Sequence, residues 1–191
     1  MRRHFLLRRT IARVALRAVR WRAVGECPRA GVLVGAPHTS NWDWVLTILL
    51  AWTHDVQISL LVKKELFRGP LGPLLRATGA VPLDRASPGA TIRALLVRAG
   101  AEESFLLGIA AEGTRSKVDH WKGGFYRISQ QTGLPVTLAF LDAPSRTVGF
   151  GPTFAVTGDV RTDMDRIRDF YADKRGIRPE LASEPRLREE G

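Results

Sequence analysis

Apolar residues occur in this chain as short runs that alternate with segments of helical periodicity. The runs are rich in valine, leucine and isoleucine, and they predict five strands at residues 32–35, 57–62, 105–110, 136–141 and 148–150. Helical spacing predicts five helices at residues 43–52, 71–77, 90–99, 121–131 and 162–174. Thr162 and Asp165 are placed as a capping box for the last of these helices. Such alternation is typical of an α/β fold whose sheet is covered by helices on both faces.

The segment that precedes the first strand has a different pattern, that of a basic amphipathic helix. At 100° per residue, Leu7, Ile11, Val14 and Ala18 fall on one stripe, and arginines gather on the opposite side. A helix of this kind lies in the headgroup plane of a membrane, where its arginines attract anionic lipid. The alternative is a first helix that packs on the core and leaves a basic face in solvent.

Length and composition indicate one globular domain. The chain has 191 residues, of which 45% are apolar and 25% are charged, as in ordinary soluble domains. We expect the basic helix at residues 1–22, the domain at residues 23–175 and a loosely ordered tail at residues 176–191. The single cysteine, Cys27, excludes an intramolecular disulfide and any Cys-rich zinc site, and we expect no metal.

The positive charge is concentrated at the N-terminus. The net charge is +10, and the first 22 residues hold eight arginines and no acid, so the rest of the chain is nearly neutral. A nucleic-acid-binding domain spreads its basic face over the folded part, so we expect no nucleic-acid partner. The longest apolar run elsewhere, residues 44–52, is far shorter than the roughly 20 residues that span a bilayer.

The segment GAPHTSNWDW carries the first candidate for catalysis. His38 follows an apolar strand, and Asp43 lies in the first turn of the next helix. Strand ends are where α/β folds place their sites. Across such a turn Asp43 can accept the Nδ1 proton of His38 and leave Nε2 free as a base. The same spacing also arises by chance between residues that have only structural roles.

Two further polar clusters each end an apolar, strand-like run. They are VPLDR, which ends in Asp84 and Arg85, and AAEGTR, which contains Glu112 and ends in Arg115. The planar fork of a guanidinium suits phosphate recognition, and Gly113 lets the backbone approach a ligand closely. The alternative for each cluster is a surface salt bridge.

Together these segments resemble the motifs of the glycerolipid acyltransferase family, whose best known members acylate lysophosphatidate. The resemblance runs from residue 31 to residue 142 and rests on HTSNWD, VPLDR, EGTR and the proline-containing strand LPVTL, in that order. The compact form of the chain is similar to a bacterial branch of the family. The resemblance implies a single-domain, mixed, largely parallel sheet with helices on both faces.

The resemblance also implies an O-acyltransferase that uses an acyl thioester directly, without a covalent enzyme intermediate. The donor would be acyl-CoA or acyl carrier protein as co-substrate, with no cofactor, and the acceptor a lysolipid. We expect that acceptor to be 1-acyl-glycerol-3-phosphate in phospholipid synthesis; another lysolipid or a lipid-linked sugar stays open. His38 would be the general base and Asp43 its orienting partner. Backbone N–H groups at the start of the helix that holds Asp43 are candidate oxyanion donors.

The remaining motif residues would bind substrate. Arg85 and Arg115 would grip the phosphate of the acceptor, Glu112 would order Arg115 or a glycerol hydroxyl, and Thr114 would donate its hydroxyl. Two lysines stand where relatives carry lysine and would meet phosphate of the acceptor or of coenzyme A, unless they are merely solvated: Lys63 and Lys122.

Two other functions fit parts of the same pattern. A thioester or ester hydrolase would use the same His38 and Asp43 with water in place of the alcohol. A non-enzymatic lipid-binding module would use the N-terminal helix alone. For the transferase we expect peripheral association with an anionic membrane surface, at the cytoplasmic face of the inner membrane.

Overall fold

The computed structural model describes residues 2–84, 88–101 and 104–191. The helices are Arg2–Ala18 (α1), Trp42–Thr53 (α2), Gly72–Ala77 (α3), Pro88–Ala101 (α4), Gly124–Thr132 (α5) and Val160–Tyr171 (α6). The strands are Arg22–Val24 (β1), Gly31–Ala36 (β2), Ile58–Lys63 (β3), Ala80–Leu83 (β4), Leu106–Ala110 (β5), Val136–Asp142 (β6) and Thr147–Phe154 (β7). Short 3₁₀ helices cover Lys64–Phe67, Pro179–Leu181 and Arg188–Glu190.

The strands form one sheet in the order β1-β7-β6-β2-β5-β3-β4. Every neighbouring pair is parallel except β6 and β7, which are antiparallel. The prediction of a mixed, largely parallel α/β sheet is therefore confirmed. Two of the seven strands are not among the five predicted. β1 has only three residues, too few to show a pattern, and β4 was recognised only as the strand-like run of VPLDR. β4 contains Pro82 and lies at the edge of the sheet, where a missing N–H donor is tolerated.

Helices cover the sheet on both faces, and each face has its own apolar core. Successive residues of β2 show the alternation, because Val32 and Val34 face one core and Leu33 faces the other. The first core lies beneath α4, α5 and α6, and the second lies beneath α1 and α2. This layering is the predicted one.

Helix α6 begins two residues earlier than its periodicity predicts. Its N-cap is Asp159, whose carboxylate accepts a hydrogen bond from the backbone N–H of Thr162 at 3.1 Å. The predicted capping box of Thr162 and Asp165 is therefore wrong. Asp165 instead pairs with Arg168 one turn later.

Helix α1 packs on α2 through a narrow seam, and this seam is not the apolar stripe that the sequence shows. Ala12 and Leu16 are buried, whereas Leu7, Ile11 and Val14 are 59%, 46% and 60% exposed. The helix does contact the domain, as the alternative of a core-packed helix expects. The contact, however, uses the face opposite to the apolar stripe. The stripe remains open to solvent. Within the described part of the chain, none of the helices is long and apolar enough to cross a bilayer.

Residues 176–191, here called the C-terminal strap, lie against the loop that follows β5. Ser183 accepts a hydrogen bond from the backbone N–H of Val118 at 2.9 Å, and the backbone N–H of Trp121 donates to the carbonyl of Arg186 at 2.7 Å. Leu187 is 1% exposed. Two strap acids pair with arginines of the domain: Arg127 with Glu189 at 2.6 Å and Arg168 with Glu190 at 2.7 Å. The sequence predicts a loosely ordered tail from its mixture of acidic and basic residues. In the structure, two of these acids form ion pairs with the domain.

Candidate active site

The topology brings the candidate motifs to one edge of the sheet. Strands β2, β3, β4, β5 and β6 are mutually parallel, so their carboxyl ends share that edge. The loop after β2 contains His38, and the loop after the adjacent β5 contains Glu112. Parallel α/β sheets bind ligands at this edge because the loops there converge.

His38 and Asp43 meet across the turn that joins β2 to α2. The Nδ1 atom of His38 lies 3.2 Å from Oδ2 of Asp43. The same oxygen accepts hydrogen bonds from the backbone N–H groups of Thr39 at 2.7 Å and Ser40 at 2.8 Å. The carboxylate therefore fixes both the ring and the loop that carries it. With Nδ1 turned to Asp43, Nε2 is the nitrogen placed to act as a base.

Glu112 lies behind His38 and is only 1% exposed. Its Oε1 atom accepts a hydrogen bond of 2.7 Å from the backbone N–H of His38. Burial raises the pKa of this carboxyl from 4.5 to about 7, and the charge of Asp43 acts in the same direction. The bond from the His38 amide opposes that rise because it favours the ionised form.

The position of Glu112 corrects the expectation that it orders Arg115 or a glycerol hydroxyl. The central strand β5 delivers the side chain into the interior beside β2, so it meets the backbone of His38 instead. Among the described residues, its second oxygen, Oε2, is buried with no hydrogen-bond partner. Glu112 is thus a support of the His38 loop.

The chain passes from this buried carboxyl to the surface within three residues. Gly113 makes the turn with φ of 70°, in the left-handed region, and a Cβ there would come within 3.2 Å of Lys122 Cγ. The backbone N–H of Lys122 donates to the carbonyl of Ala111 at 2.7 Å. Thr114 and Arg115 follow and are exposed. Lys122 and Gly113 therefore adjoin, and Arg115 lies two residues beyond.

The other predicted cations lie on the far side of β5 or outside the described residues. Lys63 is the exposed last residue of β3, two strands along from β2. Its neighbour Lys64, which the sequence argument missed, lies 3.2 Å from the carboxylate of Asp84. The doubled lysine in VKKELF was the available signal for this contact. Arg85 belongs to the three residues 85–87 that are not described.

Four backbone N–H groups at and before the start of α2 are bonded within the loop that joins β2 to α2. The amides of Thr39 and Ser40 donate to Asp43, and that of Trp42 donates to Ser40 Oγ at 3.2 Å. The amide of Asp43 lies 3.4 Å from the carbonyl of Ser40. These four groups stabilise the loop itself.

Metal ligation and thiol chemistry are two other ways in which side chains take part in catalysis. No group of three or more His, Cys, Asp or Glu side chains is arranged there to hold a metal ion. Burial raises the pKa of the half-buried Cys27 thiol to about 11, so this thiol stays protonated and is a poor nucleophile near neutral pH.

A family model described as Acyltransferase matches residues 19–139, which is more than half of the chain. The chain belongs to the Acyltransferase family. The protein is therefore an acyltransferase, and the resemblance seen in its motifs is confirmed. The matched region includes His38, Asp43 and the EGTR segment, whereas the C-terminal strap lies beyond it.

The fold of the acyltransferase is similar to that of a solved structure, the 1-acyl-sn-glycerophosphate (LPA) acyltransferase PlsC from Thermotoga maritima. The TM-score is 0.59 at 16% sequence identity, and the match covers 85% of this chain and 76% of that one. At this identity the similarity shows the fold alone. A search of curated protein sequences finds no match.

Proposed function

We propose that this acyltransferase moves a fatty acyl group from acyl-CoA or acyl carrier protein to the hydroxyl of a lysophospholipid, 1-acyl-glycerol-3-phosphate, in phospholipid synthesis. The observation that carries the proposal is the contact of 3.2 Å between His38 Nδ1 and Asp43 Oδ2, which leaves Nε2 available as a base. The similar fold of an enzyme described as acting on this acceptor supports the same substrate.

In the proposed reaction, Nε2 of His38 removes the proton of the acceptor hydroxyl. The oxygen then attacks the carbonyl carbon of the thioester, and the tetrahedral intermediate expels the thiolate, which takes the proton from the imidazolium. A new C–O bond thus replaces the C–S bond. The thioester is already activated, so the reaction requires no acyl-enzyme. Asp43 stabilises the imidazolium as it forms, because its carboxylate lies directly at Nδ1.

The exposed cations beside the His38 loop are proposed to bind the phosphate of the acceptor. Arg115 leaves the buried Glu112 through the turn at Gly113, and Lys122 packs against that turn. A phosphate monoester carries close to two negative charges near neutral pH, and a guanidinium can bind two of its oxygens at once. Arg85 is proposed to help in this, and Lys63 to meet either this phosphate or those of coenzyme A.

We further propose that the enzyme works on an anionic membrane surface at the cytoplasmic face of the inner membrane. The apolar stripe of α1 is exposed to solvent, and exposed arginines flank it at positions 8, 13 and 17. Each arginine near anionic lipid contributes about 1 kcal/mol. Further exposed apolar side chains lie in or near the loops at the carboxyl edge: Trp42, Leu66, Leu71 and Leu74.

The test is to offer the purified protein a labelled long-chain acyl-CoA or acyl carrier protein with a panel of lysolipids. We expect mass spectrometry to identify diacylglycerol phosphate as the product. The His38→Ala variant should lose roughly 10²–10⁴-fold in rate if His38 is a general base, with little change in melting temperature. His54→Ala, at the other end of α2, is the matched control and should retain activity.

Three outcomes would contradict the proposal. Full turnover in His38→Ala would remove the base. Free fatty acid as the only product would indicate a hydrolase. Binding of vesicles without any turnover would indicate a lipid-binding module.

A further inference from the structure

The C-terminal strap contacts the His38 loop, which is the segment between β2 and α2. Gly176 packs so closely on Thr39 that a Cβ atom there would lie 2.5 Å from the threonine Oγ1. Two residues later, the backbone N–H of Arg178 donates to the same Oγ1 at 3.2 Å. Thr39 in turn donates its own N–H to Asp43. The strap is therefore bonded to the segment that carries the catalytic base.

A second strap residue, Ser183, reaches the carboxyl that supports this loop. Its Oγ accepts the backbone N–H of Val118 at 2.9 Å, so the hydroxyl proton is left for another acceptor. Ser183 lies close enough to Glu112 to lower the pKa of that carboxyl. In the part of the chain that the structure describes, Glu112 Oε2 is buried and has no partner. A carboxylate oxygen only accepts, so the serine hydroxyl and Oε2 are complementary.

We propose that Ser183 is a positioning residue of the transfer reaction: its hydroxyl donates to Glu112 Oε2 and holds the carboxylate that binds the backbone of His38. The inference rests on the proposed function, in which His38 is the general base. Ser183 lies outside the region that the family model matches. Its role as a positioning residue is inferred from its position next to Glu112.

The groups that face Glu112 determine the sign of the expected effect. His38 and Asp43 approach from the loop after β2, Tyr171 from α6 and Ser183 from the strap. The hydroxyl of Tyr171 donates to the carbonyl of Val34 at 2.7 Å, so it does not serve Glu112. Loss of the serine donor leaves burial and the charge of Asp43 less opposed, and the pKa of Glu112 rises further.

The experiment measures kcat/KM from pH 5.5 to pH 9 for Ser183→Ala, with acyl-CoA and lysophosphatidate as substrates. Loss of the hydrogen bond from Ser183 to the Glu112 carboxylate should shift the acidic side of the pH profile of kcat/KM to higher pH by about one unit. Near pH 7 the ionised fraction of Glu112 then falls from about half to about a tenth. We therefore expect roughly a 5-fold loss of kcat/KM at this pH, and the loss disappears by pH 9. Ser183→Thr keeps a hydroxyl and should restore the wild-type limb.

Leu187→Ala is the matched control, because it loosens the packing of the strap without touching Glu112. We expect it to lower the melting temperature and to reduce activity equally at all pH values. If Ser183→Ala behaves in the same way, or if its profile equals that of the wild type, the proposal is wrong. If Ser183→Ala fails to fold, Ser183→Thr still tests the proposal. This variant keeps the hydroxyl, so a pH profile that differs from that of the wild type would overturn the proposal.

A carboxyl ¹³C titration of Glu112 separates this proposal from the proposed function. If the enzyme transfers no acyl group but Ser183→Ala raises the pKa of Glu112, the proposed function fails while the contact stands. An unchanged titration in an active enzyme refutes the role of Ser183 alone.

Discussion

Replacement of Glu112 by glutamine should stabilise the protein at alkaline pH and hardly at all at acid pH. Glutamine keeps an oxygen for the His38 amide but cannot ionise. In the wild type, burial raises the pKa of Glu112 from 4.5 to about 7. Between those values the folded protein holds a proton that the unfolded chain has lost, so the free energy of unfolding falls as pH rises through this window.

The size of the effect follows from the shift. A shift from 4.5 to about 7 corresponds to about 3 kcal/mol in total, of which about 2.5 kcal/mol falls between pH 5 and pH 8. The difference in unfolding free energy between Glu112→Gln and the wild type should therefore grow by about this amount over that range. Urea denaturation at four pH values, followed by circular dichroism, measures it.

An exposed acid provides the control for this measurement. Glu180→Gln, on the surface of the strap, should leave the pH dependence of unfolding unchanged. If the difference between Glu112→Gln and the wild type is the same at pH 5 and pH 8, Glu112 is already ionised in the folded protein at pH 5. The account of a buried carboxyl with a raised pKa would then fail.

Three further predictions concern the site and the N-terminal helix. Asp43→Asn keeps an oxygen for the loop amides but removes the charge beside the base, so kcat should fall roughly 10²–10⁴-fold with little change in melting temperature, and an unchanged kcat would contradict the orienting role. Arg115→Ala should raise KM more for a phosphorylated acceptor than for a neutral one, and equal effects would remove its phosphate role. Serine at Leu7, Ile11 and Val14 should weaken binding to anionic vesicles without lowering stability, because these side chains are exposed, and binding unaffected by the change or by salt would refute the membrane-surface helix.

Local patterns predicted the parts of the fold and site that depend on neighbours in sequence. The five main strands follow from runs of apolar residues, and the approach of His38 and Asp43 follows from a spacing of five across one turn. The shared edge of the sheet follows from parallel topology. Each of these is determined within a few residues or by a general rule of connection.

Features that depend on distant partners could not be predicted in this way. The hydrogen bond between Glu112 and the His38 amide joins residues 74 positions apart, and no periodicity records it. Helix α1 has apolar residues on two sides, and its pattern does not show that the side with Ala12 and Leu16 meets α2. The composition of the strap is that of a loose tail because its charges find partners only in the folded protein.

The energetics of Glu112 suggest why a carboxyl rather than an amide occupies this position. Glutamine would accept the same hydrogen bond from the His38 backbone N–H. It would avoid the loss of about 3 kcal/mol in unfolding free energy that the buried carboxylate causes above neutral pH. The difference between the two side chains is the negative charge, and His38 lies close enough to interact with it. That charge opposes the charge of Asp43, and in the proposed reaction it would favour the imidazolium of His38. A carboxylate at this position therefore costs folding stability and, in the proposed reaction, supplies a charge that glutamine would lack.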